Sequence, residues 1–334
     1  MSCGNKWKIL SSVTHYIRIM SKPKKQHYVP QFLLRNFALG KKLKAKLWVL
    51  DKLNASVFQA SVRDVGHENL FYAYNGEAGS VDFEGVMEKL DSKAASIIQD
   101  IISEHSLPEY GEKFIWLSYY VIAQMLRTPV TRRDLDNIRE IIVQKFGKEI
   151  VYQDDTRPIA DYGPEDSKIS SIRLLRDVPK LAKILQEKVW ILCEAPDTSP
   201  FIIADNPVSR HNMVDRGLRG NLGLKNDGIE IYMPLSPRLA IQILCPKLAA
   251  ATLLTPELAD DFSGAMAKKK PVLYRPENVE FLNSLQVQWS ERFVYARHRE
   301  HLEMPLDMLR THPVLREGTG VRQKPGEFDG ASML

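Results

Sequence analysis

Cysteine is scarce in these 334 residues, and the three present do not pair. Cys3, Cys193 and Cys245 are odd in number, far apart and never in a CxxC arrangement. Neither a disulfide framework nor a zinc knuckle is therefore indicated. Cys193 and Cys245 lie in apolar, strand-like runs and read as buried thiols of a protein held in a reducing cytoplasm. Long apolar runs are missing as well. The strongest, Phe114 to Leu126, falls short of the roughly 20 residues a membrane span needs and contains Ser118 and Gln124. Met1 to Ile19 lacks the apolar core and small-residue cleavage site of a signal peptide. It reads as a disordered extension, with Met20 resembling a natural start. There is no HExxH, no Gly-x-Ser-x-Gly elbow and no reactive Cys-His context, and no metal site is expected. Gly217, Gly220 and Gly223 are spaced like a phosphate loop, but no helix pattern follows them.

Acids are absent from one region only. Residues 1–46 hold eleven Lys and Arg and no Asp or Glu. Of 46 basic residues 35 remain beyond them, against all 41 acids, so the rest carries −6 while the whole carries +5. The basic arm could steer the protein toward nucleic acid or another anionic surface, or be a solvated lead-in.

What is present is organised around Gln26 to Phe37. Pro30 biases Val29 to extended backbone and suits a first helical turn, so a helix to about Phe37 is expected. His27 and Tyr28 then stand on the lead-in just before a helix N-terminus, where an anion is favoured. Lys46–Leu50 and Ser56–Ala60 read as strands around a turn at Lys52 to Asn54, with Glu68–Tyr74 continuing the sheet. Phe83, Val86, Met87, Leu90, Ala94, Ile97, Ile98 and Ile101 recur at helical spacing. Glu84, Glu88 and Asp91 lie on a related face and read as solvent-face acids. Phe114–Thr128, apolar nearly all round, should be the central core helix. Thr131–Phe146 is more charged, and its Arg132, Arg133 and Arg139 read as a solvated face.

Val151–Lys168 reads as a linker or long loop, and Ile169–Glu187 as a helix broken at Pro179. Lys188–Glu194 and Phe201–Ala204 read as strands, the second delivering Asp205-Asn206-Pro207 at its end. A loop from Arg210 to Gly228 follows, then a hairpin of Ile229–Leu235 and Leu239–Cys245. Helices at Pro256–Lys268 and Pro276–Ser290 and a strand at Phe293–Ala296 complete the pattern, with residues 314–334 a mobile tail. The expected fold is one α+β domain over residues 20–313. A helix-rich N-terminal half, about 20–150, packs on a mixed sheet with flanking helices, about 151–313, and the site forms where they meet.

The run His27-Tyr28-Val29-Pro30 with Phe32 to Phe37 resembles the opening signature of the domain of unknown function 4238 family. Gln124 to Pro129, Phe201 to Val208 and Asn283 to Tyr295 resemble it too, in the same order over roughly Lys24 to Arg297. Ala204 departs from the pattern, where a small hydroxyl residue is more usual. The resemblance implies a fold-sized unit and candidate residues, without an activity.

Resemblance and chemistry converge on His27, Arg35, Arg127 and Asp205 as catalytic candidates, with Tyr28, Gln124, Asn206 and Asn283 as ligand-binding ones. In a hydrolase or nuclease acting on a phosphodiester, His27 would be general acid or base. Asp205 would orient it or hold a cation, Mg²⁺ or Mn²⁺, while Arg35 and Arg127 stabilise phosphate charge. A non-catalytic module for a nucleotide or other anionic ligand would use the same groups. So would a polar core network that only specifies the fold, with Arg35 and Arg127 salt-bridged to Asp205 or Glu84.

Overall fold

Prolines set many of the element boundaries. The computed structural model describes residues 25–40, 44–76, 79–151, 156–212, 214, 222–254, 262–265, 267 and 270–317. The chain enters through β1 (Lys25–His27) and the one-and-a-half-turn α1 (Gln31–Asn36). β2 (Lys46–Asp51) and β3 (Ser56–Ser61) make a hairpin, followed by β4 (His67–Asn69) and the hairpin of β5 (Ala73–Gly76) and β6 (Gly79–Asp82). Five helices come next: α2 (Glu84–Glu104), α3 (Glu112–Leu126), α4 (Pro129–Phe146), α5 (Pro164–Leu174) and α6 (Val178–Gln186). Then come β7 (Val189–Glu194), β8 (Ile203–Ala204), β9 (Ser209–Asn212), β10 (Ile229–Pro234) and β11 (Leu239–Leu244). α7 (Pro246–Leu253), β12 (Val272–Leu273), α8 (Pro276–Trp289), β13 (Phe293–Ala296) and α9 (Glu303–Thr311) complete the series. Proline stands in the first turn of α4, α5, α6, α7 and α8, where its missing N–H has no helical acceptor to lose.

The fold is α+β. A five-stranded sheet runs β12-β7-β11-β10-β9, antiparallel except for the parallel β12–β7 pair. Every residue of β10 and β11 is buried, in keeping with their largely apolar sequences, which only Glu230 and Gln242 interrupt with long polar side chains. One face, with Leu192, Ile231, Met233, Ile241 and Ile243, shares a core with α3 and α6; the other, with Cys193, Tyr232 and Leu244, packs on Leu282, Leu285 and Trp289 of α8. The second sheet, β3-β2-β13-β8, is antiparallel and takes strands from both ends of the chain.

That pairing crosses the expected division into a helical half and a sheet half, because β13 completes the sheet that β2 begins. Residues 68–74 do not extend it either. β4 returns to pair with β1, and β5 pairs with β6. The long loop is shorter than expected, since Pro164 already opens α5, and the break falls at the 3₁₀ turn Leu175–Asp177 with Pro179 in the first turn of α6. The strand at Phe201–Ala204 is only Ile203–Ala204, and the Arg210–Gly228 loop begins within β9. Residues 313–317 form a 3₁₀ turn with Leu315 buried, so residues 314–317 are not part of a mobile tail as expected. Residues 1–19, the tail from 318, Gly217 and Gly220 lie outside the described residues, as does much of the helix expected at Pro256–Lys268. No described helix is long and apolar enough to cross a membrane.

Candidate functional site

Asp205 follows β8 and is 1% exposed. Its Oδ1 accepts the Glu291 amide at 2.7 Å, and its Oδ2 accepts those of Arg292 and Phe293 at 2.8 and 2.7 Å. Burial pushes its carboxyl up to about 6, against the pull of those amides and of Lys52. Lys52 is fully buried and grips the same segment from the other side, donating to the carbonyls of Val287 and Ser290 at 2.8 and 3.0 Å. A cation there complements the C-terminal end of α8. Burial lowers Lys52 to about 8, with Asp205 opposing.

The same helix stitches itself to residues 200–207. The Asn283 side chain accepts the Ile202 amide and donates to the Pro200 carbonyl, both at 3.0 Å. Gln286 does the same for Ala204 and Pro207. Asn206 donates to the Trp289 carbonyl at 3.0 Å and accepts from Thr128 Oγ1 at 3.1 Å. Two stretches with separate signatures in the sequence are thus one hydrogen-bonded knot. Asp205, Asn206 and Asn283 are spent on backbone groups that burial would otherwise leave unpaired.

Arg127, beyond the end of α3, belongs to a second cluster. It donates from Nη2 to Asp91 of α2 at 2.6 Å and from Nε to Gln124 at 2.9 Å, with its guanidinium 5.4 Å from the Tyr120 ring centroid. Its ion-pair partner is therefore Asp91, not Asp205 or Glu84, and Asp91 is no solvent-face acid. Gln124 donates to the Tyr28 carbonyl at 2.9 Å, and Tyr72 donates to the His27 carbonyl at 3.1 Å, so this cluster holds the backbone of the lead-in. Tyr28 is buried against Phe71, and burial, then Asp205 and Glu68, keep its phenol protonated. Arg35 is exposed and donates to Gln31 at 2.8 Å, one helical turn away, with no salt bridge to Asp205 or Glu84.

The expected solvated face of α4 is tied in. Arg132 lies 3.7 Å over the Phe71 ring and bonds Glu68 at 3.1 Å and the Phe71 carbonyl at 2.8 Å. Arg133 pairs with Glu291, and Arg139 with Asp136 at 2.8 Å and Ser167 at 3.2 Å. Packing of α4 on α5 and on the β4–β5 loop takes these side chains out of bulk water.

The His27 imidazole, unlike its carbonyl, stands apart from these networks. The β1–β4 ladder sets it directly opposite His67, with ring centroids 5.2 Å apart and planes at 63°. His27 Nε2 and His67 Nδ1 are both buried without a hydrogen-bonding protein partner. Burial, reinforced by His67, Lys25 and Arg35, pushes His27 down to about 4. Burial and Lys25 also lower His67. Both imidazoles are therefore neutral at pH 7. The turn that returns β4 to β1 depends on Gly66, whose φ is +63° and whose carbonyl accepts the amides of Tyr28 and Val29 at 2.9 and 3.1 Å.

The structure brings His27, Tyr28, Gln124 and Arg127 into adjoining networks, and Asp205, Asn206 and Asn283 into another. It does not pair His27 with Asp205. His67 was missed because nothing in its neighbourhood signals that His67–Asn69 pairs with β1 and so faces His27. Glu230 was missed as well. Buried on β10, it accepts from Tyr232 and from Gln242 Nε2 at 3.1 Å and lies 3.3 Å from His211 Nδ1. Among the described residues no three His, Cys, Asp or Glu gather to hold a metal ion. His301 lines a groove of 570 Å³ with Glu280, Glu303 and Asp307, and Asn283 reaches it.

A family model described as a protein of unknown function, DUF4238, matches residues 25–300. No curated protein and no solved structure matches the chain.

Proposed function

The chain belongs to the DUF4238 family, whose description carries no activity, and from its site we propose a phosphodiester hydrolase, nuclease-like, working at the β1–β4 ladder. The observation that carries this reading is the His27–His67 pair: two imidazoles kept neutral by burial, on a partly exposed ladder, with Lys25 and Arg35 close enough to act on His27. A neutral imidazole has the lone pair a general base needs, and nearby cations suit the charge that develops on a phosphoryl group. RNA is the favoured substrate, because its own 2′-hydroxyl supplies the nucleophile. The basic arm would raise the encounter rate with such a polyanion. Buried, unpaired Cys193 and Cys245 suit a cytoplasmic setting. In this reading Asp205 and Arg127 are scaffold: Asp205 accepts from three backbone amides, and Arg127 donates to Asp91 and Gln124.

The test incubates labelled RNA and single-stranded DNA with wild type, His27→Gln and Arg35→Ala, with and without Mg²⁺ or Mn²⁺, after thermal melts confirm folding. RNA cleavage that falls about 100-fold in His27→Gln is the expected result. Folded wild type that binds RNA without cutting it would replace the hydrolase with a binding module for anionic ligands.

A further inference from the structure

We infer that His27 and His67 together form a cross-strand chelate for a nitrogen-preferring divalent metal, Zn²⁺ or Cu²⁺, whose binding blocks the pair. The binding goes beyond the phosphodiester reading and stands without it; only the effect on cleavage rests on that reading. His27 and His67 are Cα partners in the β1–β4 ladder, and the Tyr28 amide bonds the Gly66 carbonyl at 2.9 Å, one residue away from each. That bond marks the pair as a non-hydrogen-bonded one, in which facing side chains come closest. His27 Nε2 and His67 Nδ1 are both buried and both without a protein partner. Two orphaned nitrogens on facing rings are satisfied together by one ion or one water between them.

Ring separation decides which. Zn²⁺–N bonds of about 2.0–2.1 Å place an ion about 3.2 Å from each ring centre, and a tetrahedral angle then sets the centres about 5.2 Å apart. A bridging water, with hydrogen bonds of about 2.9 Å, would hold them about 6.4 Å apart. The observed separation is 5.2 Å, with the planes at 63°. A direct bond between the rings is not made, since neither nitrogen has a partner. Small rotations about χ2, a soft torsion for histidine, bring both nitrogens onto one ion.

Nitrogen donors favour Zn²⁺ and Cu²⁺ over Mg²⁺ and Mn²⁺, which prefer oxygen. Among the described residues no third His, Cys, Asp or Glu joins the pair, so solvent fills the remaining positions and the ion exchanges readily. The charged groups around the ladder are Lys25 of β1, Arg35 of α1, Arg63 and Asp64 before β4, and Glu68 within it. Lys25 pairs with Asp64 at 2.7 Å, and Glu68 with Arg132 at 3.1 Å. Arg35 and Arg63 are exposed, where salt screens their repulsion of a dication. An ion on the pair takes the lone pairs that a general base needs, so it inhibits cleavage instead of driving it.

The test titrates the full chain with the chlorides of Zn²⁺, Cu²⁺ and Mg²⁺. Calorimetry should show Zn²⁺ and Cu²⁺ binding, Cu²⁺ the tighter, and no response to Mg²⁺. His27→Gln and His67→Gln should each weaken Zn²⁺ by about tenfold or more, one ligand of two being lost. A second histidine pair is the control. The His298 and His301 ring centres lie 5.3 Å apart, but of their nitrogens only His301 Nδ1 is buried without a partner, so His301→Gln should leave the affinity unchanged. Where a ladder variant fails to fold, wild type still decides: substoichiometric Cu²⁺ should broaden the His27 and His67 imidazole signals before those of any other histidine. Zn²⁺ affinity unchanged in both folded ladder variants, lost in His301→Gln, or absent from wild type would overturn the chelate. RNA cleavage should fall as Zn²⁺ occupies the site, and cleavage that rises with occupancy would overturn the inhibitory role. Wild type that binds Zn²⁺ through this pair yet cuts no RNA would uphold the chelate and remove the hydrolase.

Discussion

Between pH 6.5 and 4 an unfolded chain protonates His27, whereas the folded one, with that imidazole pushed down to about 4, resists. The stability this difference represents is present above pH 6.5 and is lost as pH falls through 4. His67 has the same sign, its ring being lowered too. Asp205 has the opposite one. Burial raises it from 3.8 to about 6, so its contribution is complete below 3.8 and is lost as pH rises through 6. Urea denaturation at pH 7, 5.5 and 4.5 should therefore show a shallower acid loss in His27→Gln than in wild type. Asp205→Asn should show a steeper one. The asparagine would also be less stable at neutral pH, by about 2 to 3 kcal/mol, because its Nδ2 has no lone pair and would face backbone N–H groups that a carboxylate oxygen now accepts. Parallel slopes in all three proteins would contradict these assignments.

Gly66 shows how much an element depends on one backbone angle. A Cβ at this residue would sit 3.1 Å from Val29 Cβ and 3.3 Å from Leu34 Cδ1, at a φ that side chains disfavour. Gly66→Ala is expected to cost about 1 to 2 kcal/mol and to loosen β4 from β1, read as faster amide exchange at Tyr28 and Val29. The unchanged exchange of those amides would show that the ladder forms without the turn. Elements set by local pattern were legible in the sequence. The strands β2 and β3 on either side of their turn and the apolar stripe of α2 fall where the sequence pattern put them, and α3 is buried as its all-round apolarity required. Elements set by distant partners were not. The three-residue β1–β4 ladder has no alternation to read. Helix α7 hid behind Cys245, taken as the end of a strand, although Pro246 and three consecutive alanines mark a helix start. In the site, the residue types were legible but their partners were not. Whether Arg127 meets Glu84 or Asp91 depends on how α2 docks against α3, and whether Asp205 faces a histidine or three amides depends on a segment 86 residues later.

At the scale of the whole molecule, α8 joins the two larger sheets. One face packs on the five-stranded sheet, while Asn283 and Gln286 bond the segment leading into and out of β8 of the other. Gln286→Ala removes three buried hydrogen bonds at once, to Ala204, Pro207 and Ser209, and is expected to cost about 2 to 4 kcal/mol, measured by urea denaturation. It should also raise amide exchange at Ala204. A loss below about 0.5 kcal/mol would mean that packing alone holds the sheets together. The place of β13 between β2 and β8 has a further consequence, for the order in which the protein is made. Asp51, at the end of β2, is bound by Arg292, 241 residues later in the chain. At roughly 5–20 residues per second a ribosome takes about 12 to 50 s to cover that distance. Until it has done so, the N-terminal hairpin is half a sheet, and a nascent-chain binder that covers strand edges would find it open.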